Sequence, residues 1–209
     1  MTKTITRLFD DYADATTALG ELERLGVPHD AISIVANNAD GAHGDAAATI
    51  GDVNDHGDVG RGVSTGAALG GAGGLLAGLG LLAIPGLGPI VAAGWLAATA
   101  VGAGIGAAGG AATGTIVGAL KEAGHTDDEA HVYSEGVRRG GTLLSARVDD
   151  SLVGAAEDVL DRSRSVDAAT RGADYRQSGW SSFDEAAPAY TRDEVAAERD
   201  RRRLTPTTY

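Results

Sequence analysis

The chain has 209 residues, enough for one ordinary domain with an appended element or for two small domains. Its formal net charge of −12 argues against nucleic acid as a partner, because binding to phosphates requires a cationic surface. It contains no cysteine, which excludes disulfides and thiolate metal sites. More than half of its 32 glycines fall between Gly62 and Gly118, so the composition separates two mixed flanks from a Gly/Ala-rich centre.

Residues 1–36 follow a β-α-β pattern. A strand predicted at residues 4–9 is followed by Asp10 and Asp11, either of which can cap the next helix. That helix ends at Gly26, and its apolar stripe at helical spacing consists of Ala15, Ala18, Leu19, Leu22 and Leu25. A second strand is predicted at residues 31–36. The polar residues 37–61 show no periodicity and are interpreted as a linker.

Residues 121–171 give a helix and a second β-α-β half. Thr126 and Glu129 form a capping box that opens a helix, with an inner face of Ala130, Tyr133, Ser134 and Val137. A strand at residues 142–148 follows, with Leu144 and Ala146 on one face and Leu143, Ser145 and Arg147 on the other. A further helix and a weak strand at residues 166–171 complete the half. The sequence therefore predicts an α+β, ferredoxin-like split β-α-β sandwich with two helices on one face of its sheet.

The remaining residues, 172–209, are predicted to form a polar tail. A second capping box, Thr191 with Glu194, starts a charged helix that extends to about Arg203. The basic run at residues 199–203 is interpreted as part of this solvated helix, which has little apolar surface to bury.

No charged residue or histidine occurs from Gly62 to Leu120. We predict a Gly/Ala-rich hairpin of two helices, residues 62–84 and 89–120, inserted between the second and third strands of the sheet. The turn consists of Pro85, Gly86, Gly88 and Pro89, with Pro89 in the first helical position. Small residues recur every fourth position, which leaves a groove for close helix packing. The predicted packing residues are Gly62, Gly66, Gly70, Gly74, Gly78, Gly94, Gly102, Gly106, Gly110, Gly114 and Gly118.

Helices so rich in glycine require a partner, because each interior glycine costs about 1 kcal/mol relative to alanine. The partner is either the lipid bilayer or a second copy of the chain. The first helix would be about 34 Å long, enough to cross a hydrocarbon core of about 30 Å, whereas the second is less apolar towards its end. No apolar stretch of signal-peptide length opens the sequence, so a membrane hairpin would leave its domain facing the cytoplasm. A soluble homo-oligomer in the cytoplasm is the alternative.

Residues suited to chemistry form no recognisable site. None of the five histidines has the spacing of a zinc motif, and Gly102, Gly104 and Gly106 lie within a helical pattern rather than a dinucleotide-binding loop. We therefore expect no catalytic residue, no metal, no cofactor and no identifiable small-molecule ligand. An enzyme or a small-molecule sensor on the sheet is the third hypothesis.

Several segments resemble the bacterial general stress protein 17M-like (heat-induced stress protein) domain family over about residues 4–171. The segments are LFDD at residues 8–11, LGVP at 25–28, DAISIV at 30–35 and YSEGVRRGGTLL at 133–144. The resemblance implies a stress-associated bacterial protein without known enzymatic activity, and it supplies no catalytic residues. The leading hypothesis is a non-enzymatic protein anchored in the inner membrane by its glycine-zipper hairpin, and the alternative is a soluble scaffold whose hairpins bundle.

Overall fold

A computed structural model of the chain describes residues 1–41, 80–84, 86–99 and 116–204. The strands in these ranges are β1 (Thr2–Phe9), β2 (Ile32–Asn37), β3 (Gly80–Ile84), β4 (Gly88–Ala93) and β5 (Thr142–Asp149). The helices are α1 (Tyr12–Leu25), α2 (Ile116–Glu122), α3 (Asp127–Arg138), α4 (Val153–Arg162), α5 (Ala168–Gln177) and α6 (Arg192–Leu204). Residues 95–99 are also helical.

The strands form a single antiparallel sheet in the order β1-β5-β2-β4-β3. Strand β5 lies between β1 and β2, with Thr6 and Ser33 both opposite Ser145. Because β1 and β2 both run antiparallel to β5, they are parallel to each other, and α1 crosses over between them. The prediction of a mixed α+β fold is confirmed.

Helices cover both faces of the sheet, because side chains alternate along each strand. One face packs on α1 and α4 through Ile5, Phe9, Leu19, Leu22, Ile34, Leu144, Ala156 and Leu160. The other packs on α2, α3 and α5 through Leu8, Val35, Ile90, Leu120, Tyr133, Val137, Leu143 and Tyr175. The predicted division of β5 into two faces is confirmed. The prediction of helices on a single face is incomplete, since it omitted the second helical layer.

The residues that cap α1 and α3 are those that the sequence predicts. The Asp11 side chain accepts a hydrogen bond from the Ala13 amide at the start of α1, and Gly26 ends that helix with a φ of 104°. Both hydrogen bonds of the capping box between Thr126 and Glu129 are present at the start of α3. These ends depend on neighbouring residues alone, which is why the sequence predicts them well.

The predicted helical hairpin is wrong over residues 80–84 and 88–93, which form a β-hairpin. Its turn has positive φ values at Gly86 and Gly88, and Pro85 lies outside the described residues. Pro89 belongs to β4 rather than to a helix start, and its carbonyl accepts from the Asn38 amide at 2.9 Å. Strand β4 pairs with β2, which satisfies its backbone and buries Ile90 and Val91 in opposite faces of the sheet. This tertiary pairing outweighs the helical spacing of the glycines.

The weak strand predicted at residues 166–171 is reduced to one residue. Val166 and Leu8 exchange two backbone hydrogen bonds of 2.8 and 2.9 Å. The chain then turns into α5, because the Asp167 side chain caps the Thr170 amide.

The C-terminal residues up to 204 are docked on the domain, which corrects the prediction of a polar tail with little to bury. Phe183 and Val195 are buried, and Glu198 is only 5% exposed. The predicted charged helix exists as α6, with its capping box between Thr191 and Glu194 formed.

No helix among the described residues combines the length and the apolar character needed to cross a bilayer.

Candidate functional site

The most unusual chemistry of the described residues lies at one end of the sheet, beneath α6. Phe9 at the end of β1 and Ala36 near the end of β2 both pair with Thr142 at the start of β5. The loops next to these strand ends therefore meet. We call the residues that receive α6 the α6 socket; they are Asp10, Asp40, Glu135, Arg139, Gly140 and Arg171.

A buried chain of charges links α3 to α6. Glu135 is 1% exposed, and its carboxylate accepts from Arg139 Nε at 2.6 Å. Arg139 Nη1 donates in turn to Glu198 Oε1 on α6 at 3.4 Å. Glu135 and Arg139 are four residues apart, so they lie on the same side of the helix end. A buried carboxylate is stable only when it is paired in this way.

Asp10 joins two arginines from different helices. Arg171 on α5 is 3% exposed and donates from Nη2 to both Asp10 oxygens at 2.9 Å. Arg202 on α6 donates from Nη1 to Asp10 Oδ1 at 2.9 Å. This one carboxylate therefore connects the β1–α1 junction, α5 and α6.

The far side of the socket combines an ion pair with close backbone packing. Arg199 pairs with Asp40 and donates from Nε to the Gly140 carbonyl at 3.1 Å. Val195 packs directly on Gly140, where an added Cβ would lie 2.6 Å from Val195 Cγ1. Gly140 also has a φ of 93°, so a side chain there would be both crowded and strained.

Tyr175 lies under the arginines. The Arg139 guanidinium is 4.4 Å from the centre of its ring, an arrangement that favours cation–π attraction. Arg202 Nη2 lies 3.5 Å from the Tyr175 hydroxyl, to which it donates. Burial raises the pKa of Tyr175, although the neighbouring arginine charges oppose the shift. The phenol therefore stays neutral.

Arginine donors exceed the acceptors in this region. The Nε atoms of Arg138, Arg171 and Arg202 are buried and have no hydrogen-bond acceptor among the described residues. The socket itself carries three carboxylates, and α6 adds Glu198 together with Arg199 and Arg202. The socket holds no cysteine, serine or histidine that could act as a nucleophile or a base. Its charged side chains pair with those of α6.

A second polar cluster lies within the sheet on the α3 face. Thr6 Oγ1 is 2.8 Å from Ser145 Oγ and 2.7 Å from His125 Nε2. The Tyr133 hydroxyl donates to the Thr6 carbonyl at 2.8 Å, and its ring meets the His125 ring edge-on.

This cluster superficially resembles the hydroxyl–histidine–carboxylate order of a nucleophilic site. Its geometry does not support that chemistry, since His125 Nδ1 is 3.7 Å from Glu129 and Thr6 and Ser145 are 2% and 0% exposed. Burial lowers the pKa of His125, and the Glu129 charge partly opposes this. The cluster therefore satisfies polar groups that the second helical layer buries.

Most of the glycines predicted to pack helices lie outside the described residues: Gly62, Gly66, Gly70, Gly74, Gly78, Gly102, Gly106, Gly110 and Gly114. Gly94 is described, and its predicted place on a helix is wrong. It lies in a bend after β4 with a φ of 88°, where an added Cβ would overlap the carbonyl oxygen of Ile32. The absence of a side chain at Gly94 allows the backbone there to lie close to β2. Gly118 lies on the exposed side of α2.

Sequence reasoning missed every residue of the α6 socket as a site. One signal was available in Glu135 and Arg139, which share a helix face with the apolar residue Val132. Asp10 pairs with Arg171, and Asp40 pairs with Arg199. The partners in each pair lie more than 150 positions apart in the sequence, so no local pattern could reveal them.

Comparison of the chain with family models, with curated proteins and with solved structures gave no match. Within the described ranges, acidic residues and histidines form no group of three or more that could hold a metal ion.

Proposed function

We propose that the protein is a non-enzymatic, stress-associated assembly protein. Its α+β domain would act as a scaffold, and its two glycine-patterned segments, residues 62–78 and 102–114, would pack against those of other copies. The partner is therefore a second copy of the chain, and the product is a homo-oligomer.

The β3–β4 hairpin is the observation that carries this proposal. Gly80 pairs with Ala92, so the start of β3 and the end of β4 lie side by side. The segment that ends at residue 79 leads directly into β3, and the segment that follows residue 99 is joined to the end of β4 through the helical residues 95–99. This placement favours packing of the two glycine patterns against each other or against the same partner.

Self-association is favoured over a membrane hairpin because the sheet core takes up apolar residues that a membrane span would need. Ile90, Val91 and Leu96 supplied much of the apolar character of the second predicted span, and all three are buried in the domain. The first predicted span loses residues 80–84 to β3. The remaining 62–79 would be about 27 Å long as a helix, which is short of a hydrocarbon core of about 30 Å.

The proposed architecture of the domain is ferredoxin-like. Two crossovers support it: β1-α1-β2 passes over β5, and β5-α4 leads to Val166, which bonds to Leu8 on the far side of β1. Each crossover skips one antiparallel strand, as in a split β-α-β unit. The β3–β4 hairpin would then extend the β2 side of that sheet. The stress association rests on the resemblance to the general stress protein 17M-like family.

The proposal is tested by the molar mass of the purified full chain in sedimentation velocity. Replacing Gly70 and Gly106 together by Leu should shift the assembly to monomers, because the new side chains fill the packing groove. The matched control is Gly154→Leu in α4, where an added Cβ meets nothing within 4 Å and the mass should not change. An unchanged mass in the Gly70/Gly106 variant would contradict self-association through these segments.

Carbonate extraction of cell membranes distinguishes the proposed self-association from the membrane hypothesis. The proposal predicts that the full-length chain is recovered in the wash. Retention of the full-length chain in the lipid pellet would support the membrane hairpin instead.

A further inference from the structure

We propose that α6 is an exchangeable occupant of its socket, and that the socket also binds α6 from a second copy of the chain in a reciprocal exchange. This interaction surface is separate from the glycine-patterned segments and does not depend on them.

The docking of α6 is mainly electrostatic. Within α6, Val195 is the apolar side chain that is completely buried, and it packs on the backbone of Gly140. The other contacts with the socket include ion pairs of Glu198, Arg199 and Arg202 and the hydrogen bond from Arg199 to the Gly140 carbonyl. A helix held in this way can leave without exposing a large apolar surface, so the cost of release is small compared with that of a core helix.

The helix is also stabilised independently of the socket. Thr191 and Glu194 form both hydrogen bonds of a capping box, with the Thr191 amide donating to Glu194 at 2.8 Å and the Glu194 amide donating to Thr191 at 3.3 Å. A capping box satisfies orphan amides of the first turn from within the helix. We therefore expect α6 to keep its first turn when it leaves the socket.

The chain that leads to α6 permits exchange. Phe183 is buried in the domain, and residues 184–190 contain no helix or strand. They cross the β3–β4 turn, where an added Cβ on Gly86 would lie 3.0 Å from the Glu185 backbone. Seven residues span at most about 23 Å when extended. We therefore expect a released α6 to move up to about this distance from Phe183.

The socket selects its occupant by the pattern of charge. Asp40 receives Arg199, Arg139 receives Glu198, and Asp10 receives Arg202. A fitting helix thus carries Val, Glu, Arg and Arg at the relative positions 0, +3, +4 and +7. A second copy presents this same helix and makes the same pairs, which is the condition for a closed two-fold exchange. The equilibrium between docking of α6 within one chain and docking between two chains is then set by the effective concentration of the two copies.

Chemical cross-linking of full-length chains tests the exchange, and the absence of cysteine from the sequence makes single-cysteine variants unambiguous. An Asp40→Cys chain is mixed with an Arg199→Cys chain and treated with a short bis-maleimide. The control mixture pairs Asp40→Cys with Glu157→Cys, since Glu157 lies on α4 and pairs with Lys3 rather than with the socket. The exchange predicts about tenfold more heterodimer in the first mixture, because docking in trans raises the local concentration of the two thiols.

Equal cross-linking of the two mixtures would overturn the exchange. The glycine-patterned segments would assemble copies without use of the socket, so failure of the exchange leaves the proposed function unaffected. A second measurement uses Asp40→Arg and Arg199→Asp chains, whose charges are mismatched within each chain but complementary between them. Co-capture that is greater in their mixture than for either chain with itself supports the exchange, and equal co-capture contradicts it.

Discussion

The helices α1 and α6 are docked on the same sheet domain by opposite means. Helix α1 buries Ala15, Ala18, Leu19 and Leu22, a continuous apolar stripe. Helix α6 buries Val195 and otherwise relies on Glu198, Arg199 and Arg202. The docking of α1 is stabilised by removal of apolar surface from water. The docking of α6 is stabilised by the pairing of buried charges, which would be costly if they were left unpaired.

The difference explains why one helix is part of the core and the other a candidate for exchange. Apolar burial is non-directional and scales with area, so α1 gains stability from its whole length. Paired charges give little net stability over water, but loss of one partner leaves the other buried and uncompensated. We therefore expect the docking of α6 to be specific and its release to be easier than that of α1.

The largest effect is expected for Glu135→Ala. This substitution leaves Arg139 without its closest partner in a buried position and should lower the free energy of unfolding by about 3–5 kcal/mol. Urea denaturation measures the loss. The control is Glu122→Ala, which removes an exposed carboxylate from the end of α2 and should change stability little. A loss below about 1 kcal/mol for Glu135→Ala would show that the buried pair is unimportant.

On the apolar side, Leu22→Ala should destabilise the fold by about 2–5 kcal/mol, because it opens a cavity beneath α1. Leu25→Ala is the matched control on the same helix. Leu25 is only partly buried, so its replacement should cost less. Equal losses in urea denaturation would contradict the packing described for α1.

Val195→Asp should detach α6 while α1 remains docked. The variant removes a burial contribution of about 1.5–3 kcal/mol and places a charge against Gly140. Amide hydrogen exchange should therefore accelerate throughout α6 but not in α1. Retained protection of α6 would show that the ion pairs alone hold it in the socket.

These two docking modes also show how much the sequence could predict. The stripe of α1 and the capping signals at Asp11, Gly26 and Thr126 are local, so the β-α-β start and α3 were predicted with bounds close to those observed. The packing of α2, α3 and α5 on the second face of the sheet was not predicted, because it depends on contacts between residues distant in sequence.

The β3–β4 hairpin and the socket were missed for different reasons. Residues 80–93 contain Leu, Ile and Val without a distinct period, and they lie between two runs of small residues at every fourth position. Pairing of β4 with β2 decides their structure. The basic run of α6 had the composition of a solvated helix, and only the fold places Asp10 and Asp40 opposite Arg202 and Arg199.

Smaller effects are expected at the helix caps. Thr191→Ala should destabilise α6 by about 1 kcal/mol, because it removes the acceptor for the Glu194 amide. Thr126→Ala should have a similar effect on α3. Amide exchange distinguishes the two variants: the first should accelerate exchange in α6 alone, and the second should lower global stability because α3 is part of the core. The same global loss for both variants would contradict the separable docking of α6.

The smallest effect concerns pH and the polar cluster under α3. Burial lowers the pKa of His125 from its ordinary value of 6.5, so the unfolded chain binds the proton more tightly than the folded chain. Stability should therefore fall as the pH decreases below about 6.5 towards the lowered value. His125→Gln should show a flatter dependence of unfolding free energy on pH in this window. The same slope in the variant and the wild type would assign the pH effect to other groups.

The central claim is that residues 62–78 and 102–114 are packing surfaces for other copies of the chain. Amide hydrogen exchange of these residues, measured at protein concentrations above and below that of assembly, tests it most directly. We expect strong protection in the assembled protein and loss of that protection on dilution or in the Gly70/Gly106 variant. Rapid exchange of both segments at every concentration, in buffer and in detergent alike, would contradict the claim.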